Sequence, residues 1–161
     1  MGLTPATANE LTRIAAAWVA AEPSCRALAL VGSWARREAT SDSDLDLLVL
    51  ATSLDWWSGG LEWLAATGLA APGYHVRAAE RARYGRAFSW HIELEPAGLL
   101  ELTFADPNWA EREPIDPGTR RVVADGMVIV SDKDGLLTAL QRQIEQERAA
   151  DTREGELSPR Q

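Results

Sequence analysis

The sequence predicts an α/β (α+β) domain in which a short mixed β-sheet is flanked by helices. Three observations predict it. Two short apolar runs, 27–31 and 44–50, enclose a polar stretch that opens on glycine. Two later segments, 88–95 and 99–104, alternate apolar and polar residues at the period of a strand. Segments near both ends, 4–21 and 136–149, carry apolar residues at helical spacing. With 161 residues, 46% of them apolar, the chain is long enough for one domain with its own core.

Each element has a local reason. In 4–21, Thr4 can cap a helix and Pro5 fits its first position, where a missing N–H costs nothing. Leu11, Ile14, Ala15, Trp18 and Val19 form its apolar face, and Pro23 ends it. A strand over 27–31 leads to Gly32, a helical turn or two over 34–39 follows, and 44–50 is the second strand. After a connector at 51–55, a helix within 54–67 turns Trp57, Leu61 and Leu64 inward and stops at Gly68, although Gly59 and Gly60 weaken it. Trp56, Trp57 and Trp63 read as core or interface residues rather than a base-stacking platform.

A turn at 71–73 precedes a third strand over 74–79, with Arg77, Arg81, Arg83 and Arg86 as a solvated basic edge. The alternating pair then forms a hairpin through Pro96, Ala97 and Gly98. Phe88, Trp90, Ile92 and Leu94 oppose Ser89, His91, Glu93 and Glu95; Leu100, Leu102 and Phe104 oppose Leu99, Glu101 and Thr103. An irregular connection, 106–118, holds Trp109 as a pin to the core. Two extended segments follow, 119–125 and 127–130, with a turn at Asp125 and Gly126. Asp132 caps the last helix, whose apolar face is Leu136, Leu137, Leu140 and Ile144. The domain is expected to span 1–149, and the polar tail 150–161 to be disordered.

Composition narrows the function. A net charge of −8 argues against a long nucleic-acid duplex as the main partner. No apolar run reaches the length of a membrane span, and no charged segment followed by an apolar block marks export. Cys25 is the one cysteine and reads as a buried structural thiol, which suits a cytoplasmic protein. His75 and His91 read as surface histidines.

The chemistry concentrates in 32–50. Gly32 and Ser33 lie between a strand and a helix start, where backbone N–H groups suit a phosphate; Ser33 adds a hydroxyl and Arg36 a guanidinium. Asp44 and Asp46 point to one face of a strand, where two carboxylates repel unless a cation lies between them. Mg²⁺ is the simplest such partner, because it accepts one or two carboxylates and completes its shell with water and substrate phosphates. One stretch thus offers phosphate donors and a metal-binding pair, which points to metal-dependent chemistry on a nucleoside triphosphate.

Gly32, Ser33, Ala35, Arg36, Ser43, Asp44, Asp46 and Leu47, with eleven positions from Ser33 to Asp44, resemble the signature of the DNA polymerase beta-type nucleotidyltransferases, in particular their small stand-alone bacterial members. Arg37 departs from it, standing where these proteins often carry glycine. Segments 98–110 and 125–137 resemble their later parts more weakly. The resemblance implies a nucleotidyltransferase-type fold and two Mg²⁺ ions held by Asp44, Asp46 and a third carboxylate on a later strand. Glu101 matches that position; Glu93 is its rival, facing Glu101 if the turn occupies 96–98. Gly32, Ser33, Arg36 and Ser43 would form the nucleotide and phosphate site. The implied activity is transfer of a nucleoside monophosphate, AMP from ATP, to an unidentified acceptor hydroxyl on a small molecule or protein. Two other readings remain: an antitoxin-like module that binds a partner protein, and an aminoglycoside nucleotidyltransferase.

Overall fold

The computed structural model describes residues 2–70, 73–85 and 87–157. Helix α1 (Pro5–Ala21) leads into strand β1 (Cys25–Val31), the short helix α2 (Gly32–Ala35) and strand β2 (Leu45–Ala51). Short helices α3 (Leu54–Ser58) and α4 (Leu64–Thr67) precede strands β3 (His75–Tyr84), β4 (Ala87–Glu95) and β5 (Gly98–Ala105). A 3₁₀ turn (Pro107–Ala110), helix α5 (Pro117–Asp125), strand β6 (Met127–Asp132) and helix α6 (Leu136–Leu157) complete the chain. The six strands form one mixed sheet in the order β3-β4-β5-β2-β1-β6. β2 and β5 run parallel and every other pair is antiparallel.

Alternation along the central strands fills both faces of the sheet. Leu45, Leu47 and Val49 face one side, where α1, α3 and α4 lie; Leu48 and Leu50 face the other, with α5 and α6. The first side is aromatic. Phe104 is fully buried and its ring stacks on Phe88 at 5.3 Å and Trp57 at 5.5 Å, with Trp63 edge-on at 5.2 Å. The indole N–H groups of Trp57, Trp63 and Trp90 donate to the carbonyls of Thr52, Trp57 and Trp57 respectively, so these large side chains enter the interior with their polar atoms satisfied. The second side is built on alanine, leucine and isoleucine, including Ala27, Ala29, Leu137, Leu140 and Ile144.

Several elements agree with the sequence reading. Thr4 caps α1 by accepting the Thr7 N–H, and Pro5 opens it. The hairpin alternates as expected, and Cys25 is buried, with burial first and then Glu22 pushing its thiol up to about 12. The Asp132 carboxylate accepts the N–H groups of Leu137 and Thr138 at the start of α6. Trp57 and Trp63 are core residues, whereas Trp56 is exposed.

Other elements differ. The second apolar run is a strand from Leu45, so Asp44 stands just before it. The helix after Gly32 begins at the glycine itself and is over by Ala35. Gly59 and Gly60 split the segment 54–67 into two short helices. The turn expected at 71–73 falls partly outside the described residues, as does Arg86. β3 extends to Tyr84 as an exposed edge strand, where alanine and arginine give no strand signal but the backbone ladder to β4 holds. Arg81 lies over the Trp90 ring and donates to the Ser58 carbonyl, on the aromatic side of the sheet. Segment 119–125 is helical, not extended: Asp116 caps it by accepting the Thr119 N–H, Pro117 takes its first turn, and this start outweighs the two valines. α6 continues through 150–157, where a disordered tail was expected, because alanine, arginine and glutamate propagate a helix already started.

The aromatic cluster makes a stability prediction. Phe104→Ala removes the ring that touches all its neighbours and is expected to cost about 3–5 kcal/mol, read as a lower urea midpoint. A change within about 0.5 kcal/mol would mean that the cluster does not carry this face of the sheet.

Candidate active site

The site begins where β1 hands the chain to α2. Val31 pairs with Asp46 across β1 and β2, and Gly32 follows immediately. Gly32 has φ +71°, and a Cβ there would run into Asp46 Oδ2. Glycine is therefore required twice, for the backbone turn and for the carboxylate's space. After α2 the chain reverses through Arg37, which holds the left-handed region at φ +59°.

The three carboxylates converge. Asp46 pairs in register with Glu101 across the parallel strands β2 and β5. Glu101 pairs in turn with His91 on β4, so one row across the sheet reads His91, Glu101, Asp46, Val31. Asp44 lies beside this row, and the ligand atoms of Asp44, His91 and Glu101 lie within 4.8 Å of one another. Glu93 pairs with Leu99, one step removed. The loop occupies 95–97 rather than 96–98, with Gly98 paired to Leu94; this shift of register replaces Glu93 by His91 opposite Glu101.

Electrostatics confirm the crowding. Burial, then a carboxyl–carboxyl hydrogen bond with Glu101 and the negative charges of Glu101 and Asp44, push Asp46 up to about 8, against the opposing pull of Arg36. Burial and then Glu101 raise Asp44, with His91 opposing. Asp46 Oδ1 is buried without a hydrogen-bond partner among the described residues. An oxygen-rich donor set with an orphaned carboxylate oxygen fits a divalent cation, which would satisfy that atom and offset the repulsion.

The remaining expected residues lie around this centre with differing involvement. Ser33 sits in α2 beside Gly32. Arg36 pairs with Glu38 at 3.1 Å, and its aliphatic stem lies against Gly126, where a Cβ would come within 2.9 Å of Arg36 Cγ. The Ser43 hydroxyl accepts the Thr40 N–H at 2.9 Å, closing the turn that delivers Asp44. A cavity of about 640 Å³ opens beside the carboxylates, over the small side chains Ala87, Ser89 and Thr103 and under Trp109, Thr119 and Val122. Trp109 thus packs on the second core and also lines the cavity. Sequence reasoning missed His91 as a site residue, although the alternation that placed Glu101 on the polar face placed His91 there too. It also missed the cavity, whose roof is the unforeseen helix α5.

Two predictions follow from this geometry. Gly32→Ala should destabilise the protein by about 1–3 kcal/mol in chemical denaturation, whereas Arg37→Gly should stabilise it by up to about 1 kcal/mol by relieving the left-handed backbone. The reverse order would mean that neither φ nor the Asp46 contact is set as described. In chelator, the protonated Asp46 contributes stability that is full below the ordinary carboxylate range and lost as pH rises through about 8. Melting temperature should therefore fall between roughly pH 4 and 8, and Asp46→Asn should flatten that fall. An equal slope in the variant would contradict the assignment.

No protein-family model matches the sequence, and no curated protein matches it. Solved structures do. An aminoglycoside 6-adenyltransferase from Bacillus subtilis matches with a TM-score of 0.50 and 18% identity, over 66% of this chain and 37% of that one. A cytoplasmic RNA terminal U-transferase matches at 0.43 and 17%, over 77% and 34%. Terminal uridylyl transferase 4 from Trypanosoma brucei matches at 0.40 and 19%, over 76% and 38%. The chain therefore spans less than two fifths of the length of each of these proteins. The six-stranded mixed sheet flanked by helices and the first of these likenesses lead to one conclusion: the chain has a nucleotidyltransferase-type fold.

Proposed function

We propose that this chain is a metal-dependent nucleotidyltransferase that moves a nucleoside monophosphate, AMP from ATP, to an acceptor hydroxyl. The observation that carries the reading is the register pair Asp46–Glu101, with Asp44 beside it and Gly32 pressed against it. Three acidic side chains held together at such electrostatic cost imply a cationic ligand, and the phosphate-compatible turn next to them implies what the cation accompanies.

The roles follow from position. Asp44, Asp46 and Glu101 would hold the divalent cations, with two Mg²⁺ ions as the expected complement. Bound there, the cations supply charge neutralisation on the triphosphate and a lowered pKa for the acceptor hydroxyl. Gly32, with no side chain, lets a phosphate approach the backbone beside Asp46. Ser33 offers a hydroxyl donor, and Arg36 can exchange its exposed partner Glu38 for the β- and γ-phosphates. Ser43 keeps the turn that positions Asp44. The cavity under Trp109 is large enough for a nucleobase or the apolar part of an acceptor. Catalysis by this arrangement is positioning and charge complementarity rather than covalent chemistry.

An aminoglycoside acceptor is a second reading, favoured by the likeness to the adenyltransferase fold. The test uses each of the four nucleoside triphosphates labelled at the α-phosphate, with Mg²⁺ and three acceptors: an RNA 3′ end, an aminoglycoside, and a soluble protein extract. Label should move to one acceptor class, most efficiently from ATP, and Glu101→Gln should lower the rate by about 10²–10³-fold. Transfer that persists unchanged in Glu101→Gln would contradict the reading.

A further inference from the structure

Among the described residues, His91 is the one nitrogen donor clustered with the carboxylates of Asp44 and Glu101. It sits on β4 with ladder partners on both sides, Glu80 on β3 and Glu101 on β5, so its backbone is fixed by the middle of a three-strand segment. Its side chain lies on the same face as Asp46 and Glu101. Nε2 has two long contacts, 3.4 Å to the Tyr84 hydroxyl and 3.6 Å to Glu101 Oε1. The second exceeds hydrogen-bond length and the first is at its limit, so this nitrogen faces the carboxylate without being tied to it. The side chain is 37% exposed and that of Glu101 22%, open enough to admit a hydrated ion.

We propose that His91 is a nitrogen ligand of the cation held by Asp44 and Glu101, and that this centre takes a first-row transition-metal ion in preference to Mg²⁺. The inference rests on the reading of these carboxylates as a cation site, and it changes that reading's ligand set and metal. The spacing supports it: ligand atoms within 4.8 Å of one another need only a small inward movement to surround one ion at about 2.1 Å. The donor chemistry supports it as well. Mg²⁺ selects oxygen-only sites, whereas imidazole suits transition metals, so a mixed site of one imidazole and two carboxylates discriminates by ligand type. Asp46, whose buried Oδ1 has no hydrogen-bond partner among the described residues, lies one register pair from Glu101 and two from His91, on the oxygen side of the centre. Because the Tyr84 hydroxyl lies 3.4 Å from the same Nε2, an ion bound there would take its place on that nitrogen.

The test uses the full chain and Mn²⁺ alone, without nucleotide. Pulsed EPR of the Mn²⁺ complex reads a directly bound nitrogen as ¹⁴N modulation. The modulation is expected in the wild type, converted to a ¹⁵N signature when the protein is made with ¹⁵N-histidine, lost in His91→Gln, and kept in His75→Gln. Mn²⁺ affinity should fall at least about 10-fold in His91→Gln, while Mg²⁺ at equal concentration should fail to displace Mn²⁺ from the wild type. Absence of nitrogen coupling in the wild type overturns the proposal, and the isotope experiment settles this without any variant having to fold. Unchanged Mn²⁺ affinity in a folded His91→Gln protein also overturns it. The outcomes separate this inference from the proposed function. Nitrogen coupling without nucleotidyl transfer leaves the metal centre and removes the transferase. Transfer supported by Mg²⁺ without nitrogen coupling does the opposite.

Discussion

The enforced closeness of Asp46 and Glu101, which must share a proton or find a cation, is the constraint on which the rest of the structure depends. Adjacent parallel strands place the two carboxylates side by side, and Asp44 brings a third. No relaxed surface would hold them there. They are kept in place because β2 and β5 are central strands, paired on both edges and buried on the opposite face by Leu45, Leu47, Leu102 and Phe104. The aromatic cluster around Phe104 supplies burial on the face away from the site. The face that carries the carboxylates is itself part core, because Leu48, Leu50 and Ala105 are buried there against α5 and α6.

The backbone around the carboxylates is shaped to the same end. Gly32 gives up its side chain to Asp46, and Gly126 gives up its side chain to the stem of Arg36. Arg37 accepts a left-handed conformation so that the chain can turn back toward Ser43 and Asp44. These positions hold a basic side chain and a backbone turn within reach of the acidic centre. Arg36, paired with Glu38, opposes the upward shift of Asp46, though less than burial and the neighbouring carboxylates raise it. A triphosphate would find the cationic and glycine-rich side of the centre on one flank and the open cavity on the other.

How much of this the sequence disclosed depended on which signals were local. Gly32, Asp44 and Asp46 were legible because the carboxylates interrupt an apolar run and the glycine ends another. Helix α1 was legible down to its cap, and the strict alternation of β4 and β5 placed Glu101 on the correct face. Register was not legible. A three-residue loop can occupy 95–97 or 96–98, and that choice decides whether Glu93 or His91 meets Glu101. The length of β3 was hidden because its strand character comes from pairing with β4, not from β-branched residues. Helix α5 was hidden because Val122 and Val123 favour extended chain, while the cap at Asp116 belongs to tertiary context as much as to sequence.

The central claim is that the carboxylate cluster is a cation-dependent nucleoside triphosphate site. Its most direct test is the melting temperature of the wild type and of the double variant Asp44→Asn, Asp46→Asn, each with Mg²⁺ or Mn²⁺ and ATP. A ligand that binds the folded state alone stabilises it by about 2.7 kcal/mol at roughly 100 times its dissociation constant. The account predicts a rise that needs metal and nucleotide together in the wild type and is absent in the variant. No rise with any nucleoside triphosphate and either metal, or an equal rise in the variant, would contradict it.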